Sequence, residues 1–309
     1  MSADSVDVAS RRSGSIVWRR RRAAFARSGK AMWADGQGRA GIIVLTIAVL
    51  TAVFAPLLVS ADALDITKAT AKNFAGPSLH YPLGTDEHGR SILDLLIKGS
   101  QVSMLVGFCS ALITMVIGTI LGVVSGHFGR WIDAVIMRFD DWMLVLPFLP
   151  LVIVLTALPI PFLGNGPGKV IFVLGITGWP GMTRILRAQV LSIKQRPYME
   201  RARALGASNT HQMVKHTLPN LMPLILANAT LTVAAALLSE SSLQFLGIGD
   251  PYSVSWGGML NNALDAEAVS LGDWTYLLTP GIAIVIVVLG FTWCGNALEK
   301  VLNPRLLGR

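Results

Sequence analysis

Residues Tyr198–Pro219 read YMERARALGASNTHQMVKHTLP, a short polar and basic stretch set between two long apolar segments. Met199, Glu200, Arg201, Ala202, Arg203, Ala204, Leu205 and Ala207 form a run rich in helix formers, in which Ala202, Ala204, Leu205 and Ala207 are the small or apolar positions. Gly206 allows a close approach or a helix end. A helix of about two turns is unstable alone, so it needs a groove in which to lie. A solvated connecting loop is the plain alternative, and it would not need this regular small-residue face. Leu218 and Pro219 then mark the return to apolar sequence, where proline cannot continue a helix by normal hydrogen bonding.

The rest of the chain explains why such a segment stands out. Of 309 residues 52% are hydrophobic and 14% charged, and the mean hydropathy is +0.57, which defines an all-α integral membrane protein. Six apolar runs are long enough to cross a hydrocarbon core: Gly41–Ser60, Val102–Phe128, Ile132–Leu158, Lys169–Val190, Met222–Gly247 and Tyr276–Leu298. The second and third are separated only by Gly129, Arg130 and Trp131, which requires a tight helical hairpin. Residues 1–40 read as a basic cytoplasmic tail, 41–60 as the first transmembrane helix and 61–101 as an external loop with an interfacial helix around Leu93–Ile97. Residues 102–298 read as a five-helix core containing the cytoplasmic loop 191–221, and 299–309 as a cytoplasmic tail.

Charge sets the orientation. With alternate loops assigned to opposite sides, 21 of the 26 lysines and arginines fall on the side of both termini and of Tyr198–Pro219, which places all three in the cytoplasm. The net charge of +8 lies in loops between spans and accompanies no nucleic-acid-binding motif, so nucleic acid is not a partner. The bilayer is, and Arg19, Arg20, Arg21 and Arg22 beside Trp18 and Phe25 would touch anionic lipid. Val59, Ser60 and Ala61 imitate a signal-peptidase site, but the long basic tail ahead of the run reads as preceding an uncleaved span.

Several local patterns have a bland reading. Gly36–Gly41 matches GxGxxG without the preceding strand that a phosphate cradle needs, and no Walker A sequence occurs, so this chain has no P-loop of its own for ATP. Gly118, Gly122 and Gly126 share one helix face and suit close packing, against this chain or another subunit. Ala227, Ala229, Ala234, Ala235 and Ala236 offer a second such surface. Glu240 is a carboxylate well inside a span, where it marks either a pathway or a structural site bonded to Ser239, Ser241, Ser242 or Gln244. His80, Asp86, Glu87 and His88 fit no familiar metal spacing, and the nearby Pro82, Gly84 and Gly89 are turn residues, so no metal is assigned. Cys109 and Cys294 read as small buried hydrophobes.

Glu200, Ala202, Gly206, Leu218 and Pro219 stand at the spacing of the EAA motif, and the chain resembles the permease subunits of binding-protein-dependent ABC importers; Arg201 and His216 depart from that pattern. Further blocks resemble the DppC/OppC-type subunit of the peptide/nickel subfamily: Tyr81–Arg90, Ser125–Gly129 with Trp131 and Asp133, Arg187–Leu191, Leu243–Gly249, Ser255–Met259, and Asn303 with Pro304 and Arg305. The resemblance implies a type I importer permease fold in a bacterial inner membrane. It also implies a heterodimer with a second homologous permease chain, two ATP-binding subunits and an extracytoplasmic solute-binding protein. ATP and magnesium would be held by the ATPases, with no cofactor and no catalysis in this chain. Residues Met199–Ala207 with Leu218 and Pro219 would be the coupling segment that follows the ATPases. Short peptides are the implied cargo, with nickel chelates or another small solute as the alternative. An intramembrane enzyme built on Glu240 or the His80–His88 loop lacks a paired acid and base inside the spans, and a secondary carrier lacks enough ion-coupling groups.

Overall fold

The structure, a computed structural model, describes residues 29–160, 163–164, 166–250 and 253–302. The basic-tail residues Trp18 to Phe25 and the block from Asn303 to Arg305 lie outside the described residues. Ten principal helices follow in order: α1 Gly36–Leu58, α2 Ile92–Phe128, α3 Arg130–Val145, α4 Phe148–Ala157, α5 Pro167–Thr177, α6 Pro180–Lys194, α7 Pro197–Ala204, α8 Leu218–Phe245, α9 Trp256–Asp265 and α10 Trp274–Leu302. No strand occurs among the described residues, only an isolated bridge between Thr85 and Ser91.

Six spans were expected, and four helices among the described residues are long and apolar enough to cross a membrane: α1, α2, α8 with its lead-in from Asn209, and α10. The third expected span is bent by 89° between α3 and α4, at Leu146 and Pro147, and counts as a fifth only if the two halves are joined. The fourth is interrupted between Thr177 and Pro180. Pro147 and Pro180 stand at these breaks because a proline has no N–H to carry the helical ladder across them. The interfacial helix expected around Leu93–Ile97 is not a separate element. It is the first turns of α2, a 37-residue helix about 55 Å long, because fully buried Ile92 and Leu95 pull that end into the core beside Leu237, Trp256 and Met259.

α2 is the spine against which α1, α5, α6 and α8 pack. Three of its glycines face α6 of the same chain: a Cβ placed on Gly118 would lie 2.8 Å from Met182 Cβ, on Gly122 2.8 Å from the Thr183 carbonyl oxygen, and on Gly126 2.7 Å from Val190 Cβ. Such contacts bring two backbones together and replace side-chain volume with dispersion along the seam. α1 is clamped to α10 in the same way, with Gly41 against Cys294 Sγ and the Gly290 carbonyl, both 2.8 Å from a Cβ placed there. Asp35 caps α1 by accepting the Gly38 N–H at 2.9 Å and approaches Lys300 Nζ of α10 at 3.5 Å; the amide contact holds its carboxyl below the ordinary range.

α3 joins α2 through Gly129, whose φ of +65° makes the hairpin turn. It is two-faced. Trp131, Val135, Phe139 and Trp142 are exposed along one side, while Asp133 and Asp140 face α6 and meet Arg187 and Arg184.

Candidate functional site

The opening segment folds as a helix held from below. Arg196 is extended, Pro197 supplies a preset φ for the first turn, and Glu200 lies in that turn where the helix dipole favours an anion. Leu205 is the C-cap, after which Gly206 takes a φ of +80°. Its N–H donates to the Arg203 carbonyl and the Ala207 N–H to the Ala202 carbonyl, each at 3.0 Å, the paired bonds of a Schellman end. Met199, a member of the expected coupling set, is fully buried in the apolar cluster of Leu186, Val190, Ile193 and Leu221 and supports the helix from beneath. Leu205 is the opposite case, 88% exposed at the tip.

Hydrogen bonds fasten this helix to the ends of its neighbours. An Arg203 guanidinium nitrogen donates to the Lys194 carbonyl at 2.8 Å, and Lys194 Nζ donates to the His127 carbonyl at 2.6 Å. Burial draws the Lys194 ammonium below its ordinary range, and the positive Arg203 adds to that shift. Gln212 Nε2 donates to the Ala207 carbonyl at 2.7 Å, and His127 Nε2 lies 3.2 Å from Asn209 Oδ1. Thus α2, α6, α7 and the lead-in to α8 meet in one cluster.

Pro219 does not break the chain as expected. Gln212–Thr217 forms a π-helical segment that runs directly into α8, with Pro219 in the first turn. The wider turn accommodates the missing N–H, and Asn220 Nδ2 donates to the nearby His216 carbonyl at 2.7 Å. Arg201 and His216, the two departures from the motif, line one open depression of about 650 Å³ together with Tyr198, Leu205 and His211. The His211 and His216 rings lie 5.6 Å apart and Tyr198 sits 6.3 Å from His216.

Deeper in the bundle, both helix breaks open on a cavity of about 470 Å³. Pro147 and Phe148 line one side, Thr177, Gly178 and Pro180 another, and Ala235, Ala236 and Ser239 of α8 a third. Glu240, one residue on, is fully buried and lines none of the described cavities of the chain. Ser241 Oγ donates to its Oε2 at 3.3 Å, and the hydroxyls of Ser103 on α2 and Ser255 before α9 face the same carboxyl. Ser103 also accepts the Trp256 N–H at 3.2 Å, so three elements meet there. Of the partners expected from sequence only Ser241 contacts it; Ser239 and Ser242 bond carbonyls of their own helix at 2.8 Å.

In the first loop Asp86, Glu87 and His88 bring ligand atoms within 4.8 Å of one another, without His80. Asp86 is spent on the loop itself: Oδ1 accepts the His88 and Arg90 N–H groups at 3.0 and 2.7 Å and Oδ2 accepts Arg90 Nε at 2.7 Å. A guanidinium already supplies the positive charge a cation would bring.

Residues 118–308 match the family model described as binding-protein-dependent transport system inner membrane component. The chain is 38% identical over 269 residues to the dipeptide transport system permease protein DppC of Bacillus subtilis, covering 86% of this chain and 81% of that protein. It is 34% identical over 267 residues to DppC of Alkalihalophilus pseudofirmus and likewise to the oligopeptide transport system permease protein OppC of Bacillus subtilis, each covering 86% of this chain and 85% of the relative. Among solved structures, an inward-facing conformation of the MetNI methionine ABC transporter matches 68% of this chain and 96% of its own with a TM-score of 0.54 and 21% identity, a likeness of fold.

Proposed function

This chain belongs to the binding-protein-dependent transport system inner membrane components, among the peptide permeases of ABC importers, and from that membership we propose that it is one half of the pore of an ATP-driven importer of short peptides. It pairs with a second homologous permease chain, receives solute from an extracytoplasmic binding protein, and is driven by two ATPase subunits that carry the ATP, the magnesium and all of the catalysis. Both termini and α7 face the cytoplasm of a bacterial inner membrane, in keeping with the 21 to 5 division of basic residues.

The observation that carries this reading is the build of α7. Its underside is anchored by Met199, its far end is closed by Gly206, and Leu205 is left 88% exposed on a helix too short to stand alone. A rigid knob on a fastened base passes force in both directions. When ATP closes the ATPases, α7 moves with them, and its hydrogen bonds to the ends of α2, α6 and α8 carry that motion into the bundle. The helix breaks at Pro147 and Gly178 give the bundle a place to yield, and the cavity between them is the path for solute. A gate of this kind needs two arrangements that ATP binds unequally.

Purification of the chain with its co-expressed permease and ATPase partners tests the reading. Leu205→Glu is expected to release the ATPases and abolish peptide uptake in proteoliposomes while the two permease chains stay together. ATPases retained at the wild-type level with uptake intact would refute α7 as the coupling element.

A further inference from the structure

The largest described cavity lies at the end of the bundle away from α7. It holds about 690 Å³, within the usual size of a small-ligand pocket. Six parts of the chain wall it, with Lys98 from α2, Gln244 from the end of α8, Asp250 from the segment before α9, Asn261 and Asn262 from α9, Tyr276 from α10 and Asp65 from the first loop.

Lys98 is the distinctive group in that lining. The other cation there, Arg90, is bound by Asp86 at 2.7 Å, whereas Lys98 Nζ donates to the neutral Gln101 Oε1 at 3.0 Å and has no ion-pair partner among the described residues. An ammonium has three donors, so hydrogen-bonding capacity and a full charge remain on the cleft wall. Asp65 contributes the opposite sign from another element. Its Oδ1 accepts the Thr67 hydroxyl at 2.7 Å and amide at 2.9 Å, and these bonds keep the carboxyl ionised by lowering its pKa. The Gln244 side chain is wedged in place, since a Cβ on Gly249 would lie 2.5 Å from its Oε1 and one on Gly257 2.8 Å from its Cβ. A cation, a carboxylate and fixed amides together suit a solute that carries both charges and peptide groups; an apolar ligand would leave all of them unpaired.

We propose that this cleft is a transit site for short peptides on their way from the binding protein to the pore, with Lys98 taking the free carboxylate. The proposal rests on the importer reading above and extends it to a named contact with the cargo.

The test uses the assembled importer in proteoliposomes with its binding protein, following uptake of labelled trialanine and binding-protein-stimulated ATP hydrolysis side by side. Lys98→Gln should lower uptake by about tenfold, the worth of one charge-assisted contact, with stimulated hydrolysis unchanged and uptake restored by Lys98→Arg. Unchanged uptake in Lys98→Gln overturns the transit site and leaves the importer reading standing. Loss of uptake together with stimulated hydrolysis assigns Lys98 to docking of the binding protein or to assembly, and also overturns it. If the wild type shows neither activity, the importer reading itself falls. A second measurement is independent of the cargo: with Cys109 and Cys294 replaced by serine, the thiol introduced by Asn262→Cys should react more slowly with an anionic thiosulfonate once Lys98→Gln is added, and no more slowly with a cationic one. An anionic rate that Lys98→Gln leaves unchanged would contradict Lys98 as an anion contact in the cleft.

Discussion

Arg187 of α6 grips Asp133 of α3 with two prongs, Nε to Oδ1 at 2.5 Å and a terminal nitrogen to Oδ2 at 2.6 Å, and Ser125 of α2 donates to the same carboxylate at 2.5 Å. The pair is partly shielded, with the two side chains 31% and 18% exposed, so it stands between a surface ion pair and a buried one. Asp133→Asn should therefore cost about 1–2 kcal/mol of stability, read as a lowered unfolding temperature of the detergent-solubilised complex. No measurable change would mean that α3 is held by its apolar contacts alone.

The glycine seam predicts a contrast within one small region. Gly122→Val meets the Thr183 backbone carbonyl, which cannot swing aside, and should sharply reduce the amount of folded protein in the membrane. Gly181→Ala places its methyl where nothing lies within 4 Å and should leave that amount unchanged. Equal yields of the two variants, measured by immunoblot of membranes, would show that α2 and α6 do not pack this closely.

Met199 offers a way to separate docking from force transmission. Met199→Ala empties space beneath α7 at a cost of about 2–4 kcal/mol if the site does not collapse, without changing exposed Leu205. The expected phenotype is ATPases that still bind but whose hydrolysis no longer drives peptide uptake. Hydrolysis and uptake falling in equal proportion would argue against a supporting role distinct from docking.

Glu240 distinguishes charge from hydrogen bonding. Glu240→Gln keeps a polar group facing the hydroxyls of Ser103, Ser241 and Ser255 and should transport normally, whereas Glu240→Leu strands those hydroxyls and should lower the yield of folded complex. Transport lost in Glu240→Gln at normal yield would instead indicate a proton-carrying role.

Sequence revealed the parts of the fold that depend on long runs and on local rules. The four long apolar helices, the hairpin at Gly129 and the short helix before Gly206 follow from hydropathy, spacing and the needs of a positive φ. What sequence hid was the interruption of runs whose composition stays apolar across a break. Leu146 and Pro147 sit in a run whose average stays apolar, so a hydropathy average passed over the 89° bend that Pro147 marks. The pairing of Asp133 with Arg187 and Asp140 with Arg184 was hidden for another reason: the partners are more than forty residues apart, and each looks alone like a loop charge. At the site, the exposed tip could be inferred from the helix's polarity, but the burial of Met199 could not, because a methionine suits a core and a docking face equally.

The π-helical segment Gln212–Thr217 has a geometric consequence. A single turn of this kind amounts to one surplus residue in an otherwise continuous helix, so the direction in which α7 points relative to α8 is set by a residue count. Deleting the exposed Val214 would remove that surplus and let the segment close into ordinary helix with the turns on either side near their present directions, whereas deleting a residue from the regular helix beyond it would turn everything before the cut by about 100° around the axis and draw it in by about 1.5 Å. In the second case each side chain of α7 would survive chemically intact, yet the knob would face a new direction, as a key cut correctly but filed one notch out of phase.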